Sequence, residues 1–400
     1  MEADTLWRLD FGSLLSEAEY LGTRALEEVL EASQTRILDD LCREELGDGR
    51  RRFVRWGSRT RTLITRIGTV YPRICRVRDR LSGRTFAPLL GALGIQRKRY
   101  TPELRLCAAE LATRTSYGEA SQALERMGLR IPRRTIWDFL QEFAQVIEAT
   151  LRRAPPSPAE EERGSCHSTD STFVRGRRRR EQHEVEVGIV QGQDHRVQLV
   201  GVRVDDRPGA SLKGAEVRRL TTDDAPGLRA LGAERQQLCH LHFLRHLIDL
   251  LGQEGVSLSE RETLVTPLRG VLAHLRHSVD CHRRDGNGVA ITVRVRETLM
   301  ELGALGERLV KGGCPQSGRF VLREMRALVV FAEVGGDLWM PATSNGIERV
   351  MGMVADRCKR KWAHWGRGLR NMVLALLARK IRPRVYGVAV RRYLGARGYW

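Results

Sequence analysis

Three carboxylates in this 400-residue chain are placed where they could share one chemical task. Asp170 lies in Ser168-Thr169-Asp170-Ser171-Thr172, and Asp223 closes Leu220-Thr221-Thr222-Asp223. Glu348 stands in Thr343-Ser344-Asn345-Gly346-Ile347-Glu348-Arg349. Oxygen donors of this kind suit hard divalent cations such as Mg2+ or Mn2+, which thiols do not. Carboxylates gathered around one or two such ions make a phosphoryl-transfer site, where the ions activate a water or a 3′-hydroxyl and stabilise the leaving oxygen.

Glu348 also has an ordinary explanation. Asn345 is a good helix N-cap, and Glu348 stands three residues on, at the capping-box position. Ile347, Val350, Met351 and Val354 recur at helical spacing and predict one buried face, with Glu348 off it. Gly352, one turn along on the Glu348 side, leaves room beside the carboxylate. Lys359, Arg360 and Lys361 close the helix with positive charge.

The elements that must hold these groups can be read from periodicity. Cys166–Val174 is a polar, weakly patterned strand; His183–Val190 alternates Val185, Val187 and Ile189; Val197–Val204 is nearly continuously apolar. Arg175 to Arg180 joins the first two as an exposed hairpin tip. A fourth strand over Glu216–Thr222 ends at Asp223, and a fifth over Gln236–Cys239 leads into a helix through Leu251. Residues 252–340 read as mostly helical, with Gly-rich breaks near 286–288 and 312–318. Three strands followed by alternating strand and helix match an α/β fold of RNase H-like order. The first and fourth strands are neighbours in such a sheet, so Asp170 and Asp223 could meet, and a Glu from a later helix would complete a triad.

Upstream, charge organises the chain. Residues 1–50 carry 13 acids against five arginines, a net of −8, and read as amphipathic helices. Residues 51–100 carry 14 basic residues against Asp79 alone, a net of +13. The alternation of apolar residues with Arg after Gly68 reads as a strand or hairpin with a basic face. Helices follow over 101–113 and 116–127, Gly128 breaks the pattern, and Pro132-Arg133-Arg134-Thr135 opens a third helix with an Ile136, Phe139, Leu140, Phe143 stripe. Helix, Gly-containing turn and Arg-led helix have the outline of a helix-turn-helix.

Three motifs in order resemble the DDE transposases of the mutator-like class, found in many bacterial and archaeal insertion sequences. They are Leu220-Thr-Thr-Asp223-Asp-Ala-Pro-Gly-Leu, Gln237-Leu-Cys239-His-Leu-His242, and Thr343-Ser-Asn-Gly-Ile-Glu348-Arg. The resemblance covers roughly 165–380, and the 100–150 stretch is also similar. It implies an RNase H-like catalytic domain with a helical insertion, preceded by a mainly helical DNA-binding region. It implies Asp170, Asp223 and Glu348 as a metal-binding catalytic triad using Mg2+ or Mn2+, with Asp224 the alternative to Asp223. Cys239 and His242 match the family's Cys-x-x-His pair and would shape the site. A zinc site joining them with His274, His277 and Cys281 is a weaker alternative, since paired CxxC ligands are missing. Trp362 and Trp365 could stack on a displaced base or pack in the core. The expected partners are duplex DNA, as terminal inverted repeats and target, and further copies of the chain. Arg133, Arg134, Arg177, Arg178, Lys359, Arg360 and Lys361 are the expected DNA contacts.

This gives an acidic helical segment over 1–50, a DNA-binding region over 51–152 and a linker over 153–164. The catalytic domain then spans 165–251 and 341–382 around an insertion over 252–340, with a tail over 383–400. The net charge of +19 favours a polyanionic partner. Eight irregularly spaced cysteines argue against a disulfide framework, and neither a leader nor an 18-residue apolar run is evident. A cytoplasmic, nucleoid-associated protein is expected. Two other readings share the fold: an RNase H-like nuclease that does not transpose, and a catalytically silent, domesticated DNA-binding protein.

Overall fold

Acidic residues 11–41 form one long helix, Phe11–Leu41, rather than several short ones. The computed structural model describes residues 11–95, 99–154, 165–178, 180–223, 231–333, 339–360 and 364–395. The chain is a mixed α/β protein. It divides into two compact units, one built from residues up to Thr150 together with Arg384 onward, the other from Leu151 to Pro383.

In the first unit, strands β1 (Phe53–Thr60), β4 (Arg73–Asp79) and β5 (Thr85–Phe86) make an antiparallel sheet in the order β1-β4-β5. Strands β2 (Leu63–Thr65) and β3 (Gly68–Val70) form a separate hairpin. On β4, Ile74 and Val77 are buried while Arg73 and Arg76 are exposed. The long acidic helix lies on this sheet. Its Leu30 shares a core with Leu63, Val70 and Ile74, and its Leu38 with Phe53 and Val77. The charge inversion near residue 48 therefore separates two faces of one core. Asp39 and Glu44 reach across it to Arg55 and Arg52, at 3.2 and 2.6 Å.

Helices Pro102–Arg114, Tyr117–Arg126 and Arg133–Arg153 complete this half of the chain. Ser116 and Glu119 form a reciprocal capping box at the start of the second. The connection to the third runs over 127–132, longer than the roughly three- to four-residue turn of a helix-turn-helix. The residues expected to be a tail instead form a helix, Pro383–Gly395, that belongs to this unit. Tyr386 and Tyr393 set their rings edge-on to Phe143, at 5.5 and 5.2 Å, and the Tyr386 hydroxyl donates to Glu110 at 2.7 Å.

The second unit is built on a five-stranded sheet: β6 (Cys166–Arg175), β7 (Gln182–Gln191), β8 (Val197–Val204), β9 (Arg219–Thr222) and β10 (Arg235–Leu238). The spatial order is β10-β9-β6-β7-β8. The first three strands pair antiparallel, β9 joins β6 in parallel, and β10 joins β9 in parallel. Where Gly188 pairs with Gly201, a one-turn helix over Ala210–Leu212 sits directly on the sheet. A Cβ at Gly201 would come within 2.3 Å of the Ser211 carbonyl oxygen, so only glycine admits that approach.

Helices His240–Gln253, Leu258–Arg284, Gly288–Lys311 and Pro315–Glu324 follow β10. Their apolar faces meet in one cluster that includes Phe243, Leu247, Leu268, Leu302 and Phe320. Ser257 with Glu260 caps the second of these helices, and Asn287 caps the third, at the breaks the glycines mark. Helix Asn345–Cys358 packs on β6 and β7, and helix Leu369–Ile381 on β8. No helix among the described residues is long and apolar enough to cross a membrane.

Candidate active site

The carboxyl ends of the parallel strands β9 and β10, the middle of β6 and the start of helix Asn345–Cys358 come together in the second unit. Parallel pairing sets His167 opposite Leu220 and Ser168 opposite Thr221. Carried on by two residues, the same register sets Asp170 level with Asp223. Both lie at intermediate depth, as does Glu348.

Electrostatics link the three carboxylates through Asp170. Burial raises the pKa of Asp170, and the negative charges of Asp223 and Glu348 raise it further. The nearby His242 and the Ser171 N–H, which donates to Asp170 at 2.8 Å, work in the opposite direction. The charges of Asp223 and Glu348 thus reach Asp170 and oppose its ionisation, a cost that a bound cation would reverse.

Glu348 is not a capping residue. The helix N-cap is Ser344 rather than Asn345, so the third helical position is Ile347, and the capping-box geometry expected from Asn345 does not form. Ser344 and Asn345 are both good caps, and sequence alone is ambiguous by one position there. The shift matters because it makes Ser344 the centre of the site. Its hydroxyl lies 3.3 Å from a Glu348 carboxylate oxygen, 3.3 Å from His242 Nδ1 and 3.1 Å from Cys239 Sγ. Its main-chain N–H donates to the same sulfur at 3.2 Å. The buried face, Ile347, Val350, Met351 and Val354, lies on the sheet as its spacing requires. Gly346 brings the helix start against β7, since a Cβ there would fall 2.3 Å from Gln191 Oε1. Beside Gly352 the space is open.

Cys239 and His242 act as a pair. Burial opposes ionisation of the Cys239 thiol, yet hydrogen bonds from His242 and Ser344 outweigh it and hold its pKa below the usual thiol value. The hydrogen bond to Cys239 raises the pKa of His242 against its partial burial, and the charges of Cys239, Asp170 and Asp223 add to the rise. The imidazole, its protonated form favoured, faces the carboxylates, with Glu348 3.9 Å from its Nδ1.

Among the described residues, Cys239, His242 and Glu348 are the one group of three whose ligand atoms all lie within 4.8 Å of one another. The wider zinc set does not form around it. Cys281 pairs with His277 at 3.7 Å on an exposed helix surface, and His274 turns to Arg294 at 2.7 Å. All eight cysteines are free.

The expected DNA contacts fall in both units. Arg133 and Arg134 are exposed at a helix start, where Arg134 lies over the Trp137 ring at 4.2 Å and near Asp138 at 3.7 Å. In the second unit, exposed Arg177 and Arg178 occupy the hairpin tip between β6 and β7. That tip meets the segment after the Glu348 helix, through Trp365 N–H to Arg175 O at 2.9 Å and His364 Nδ1 to Gly176 O at 3.0 Å. Lys359 and Arg360 are exposed at that helix end. Trp365 is buried, donates to Cys358 O and lies under Arg357, so it packs rather than stacks on a base. Asp224, Lys361 and Trp362 lie outside the described residues.

Two buried histidines set an acid limit on the second unit. Burial holds the pKa of both His167 and His240 at about 4, with Arg219 and Arg276 adding repulsion. Arg276 can only donate, so its contact with His240 Nδ1 at 3.1 Å makes Nε2 the protonated nitrogen that bonds to Leu328 O. The folded state prefers neutral rings. Their contribution to stability is complete above the unfolded pKa of about 6.5 and is lost as pH falls towards 4, on the order of 3 kcal/mol per ring. The melting temperature is expected to drop by several degrees between pH 7 and 4.5; a flat profile is the contrary result.

No protein-family profile matches the chain, and no curated protein matches it.

Proposed function

We propose that this protein is a DDE-type transposase that binds the ends of its element and carries out DNA strand cleavage and strand transfer. What supports this reading is that Asp170 on β6 stands in the parallel register that leads to Asp223 at the end of β9, and that the charges of Asp223 and Glu348 both act on it. The β10-β9-β6-β7-β8 order, with three antiparallel strands followed by two parallel ones, supports an RNase H-like catalytic domain. The helices from Leu258 to Glu333 are read as the helical insertion over 252–340.

The donor set fits hard divalent cations: three partly exposed carboxylates, with two of them repelling the charge of Asp170, a repulsion that a cation would relieve. Asp170, Asp223 and Glu348 would hold Mg2+ or Mn2+, which when bound supplies activation of the attacking oxygen and neutralisation of charge on the leaving oxygen. The chain's own residues do the rest. Ser344 hydrogen-bonds the Glu348 carboxylate, the Cys239–His242 pair stands beside it, and exposed arginines hold phosphates.

The protein should cleave DNA carrying its element's own inverted repeats in Mg2+ or Mn2+, and Asp170→Asn should remove that activity. Cutting confined to branched or damaged DNA would instead indicate a nuclease, and end binding without cutting in either metal a silent DNA-binding protein. A second reading, a softer metal on Cys239, His242 and Glu348, has their 4.8 Å grouping in its favour. Against it, the sulfur already accepts a hydrogen bond from the Ser344 main-chain N–H. Stoichiometric zinc in protein purified without chelator would reverse that preference.

A further inference from the structure

A cavity of about 240 Å³ opens beside the start of the Glu348 helix, on the side of Asn345 and Gly346. Its walls come from three distant parts of the second unit: the end of β7 with His195, the long helix Leu258–Arg284, and the segment Trp339–Thr343. From the helix, Arg276 and Arg283 stand seven residues apart, hence on one face. Burial lowers the pKa of Arg283, so the fold holds a guanidinium in a place that disfavours its charge. Arg276 donates to neutral His240 and Arg283 to the Phe331 carbonyl. Neither makes a carboxylate ion pair among the described residues, and Asp280, exposed, is the one acid on the wall. Opposite stands Trp339, half-buried, with the His195 ring edge-on to it at 5.5 Å.

We propose that this cavity is a nucleotide subsite, holding one phosphate on Arg276 and Arg283 and the attached base against Trp339. Guanidinium groups match phosphate oxygens through paired N–H donors, and an aromatic wall accepts any base by stacking. At about 240 Å³ the cavity lies just below the roughly 300–1,000 Å³ of drug-sized ligand pockets, so it has room for no more than one nucleotide unit of a strand, with part of that unit outside. The ligand is a nucleic-acid strand rather than a free nucleotide, because the cavity adjoins the helix start that bears Glu348. The proposal rests on the phosphoryl-transfer reading for its choice of strand, while the cavity itself does not depend on the carboxylates.

The test uses the full-length protein and a short single-stranded oligonucleotide carrying 5-iodouracil, which couples to a stacked aromatic ring on irradiation, with peptide mapping of the product. A cross-link at Trp339 is expected. In the Arg276→Gln/Arg283→Gln double variant it should fall roughly tenfold, the loss expected when charge-assisted phosphate contacts are removed. Melting curves check that this variant is folded, and Arg276→Lys/Arg283→Lys, which keeps the charge, should recover part of the yield. Cross-links only at other residues, or a Trp339 cross-link indifferent to the arginines, would overturn the subsite. So would equal suppression by inorganic phosphate and by unlabelled oligonucleotide at the same concentration, since that describes a simple anion site. Asp170→Asn separates the two proposals. If it cleaves like wild type while the Trp339 cross-link persists, the transposase reading fails and the subsite stands.

Discussion

Glu348→Gln is expected to abolish strand cleavage while leaving DNA affinity and melting temperature close to wild type. Glutamine keeps the shape of the side chain and can still accept from Ser344, whose hydroxyl lies 3.3 Å from the carboxylate. The helix start is secured elsewhere, by the Glu348 N–H bonded to Ser344 O and by the buried face below it. Removing the negative charge takes away what a divalent cation requires of its ligand. Cleavage should therefore fall by roughly a thousandfold or more, about 4 kcal/mol of barrier. Stability should move by no more than about 1 kcal/mol, the size of a typical cap effect. Melting, gel-shift affinity and cleavage measured on one preparation decide the matter. Near-normal cutting by the glutamine variant would remove Glu348 from the chemistry.

Binding to duplex DNA should weaken steeply with salt, and the sheet of the first unit should set part of the slope. The acidic segment neutralises part of that sheet, Asp39 of the helix pairing with Arg55 and Glu44 just beyond it with Arg52. Arg59, Arg73, Arg76 and Arg78 make no carboxylate ion pair among the described residues, and Arg78 lies over the exposed Trp56 ring at 4.7 Å. A protein that covers six to ten phosphates loses roughly 10³- to 10⁵-fold in affinity between about 50 and 200 mM salt. Arg76→Gln with Arg78→Gln should flatten the log–log slope by about two, one for each phosphate contact removed. Affinity that hardly changes with salt, or a slope unmoved by the two substitutions, would take this face out of DNA binding.

Sequence by itself determined what depends on neighbours along the chain. A period of 3.6 located the buried face of the Glu348 helix at Ile347, Val350, Met351 and Val354. Alternation located β7 and the basic strand β4, and the glycine breaks near 286–288 and 312–318 fall where helices end. The net charge and its reversal near residue 48 are properties of composition alone.

Tertiary structure decided everything that rests on partners distant in sequence. The reversal of charge looked like a boundary, yet Leu30 and Leu38 bury themselves against the basic sheet, because an apolar helix face needs a partner whatever charge its other face carries. Residues 383–395 read as a tail, yet they form a helix whose buried face meets Phe143, a partner far earlier in the chain that local spacing does not name. Ser344 offers no local sign of its role, because its partners Cys239 and His242 come from a strand end and helix about a hundred positions earlier. The cavity behind Asn345 is least legible of all. Arg276, Arg283 and Trp339 each read as ordinary surface or core residues until three segments close around the same space, and no one-dimensional pattern records which segments those will be.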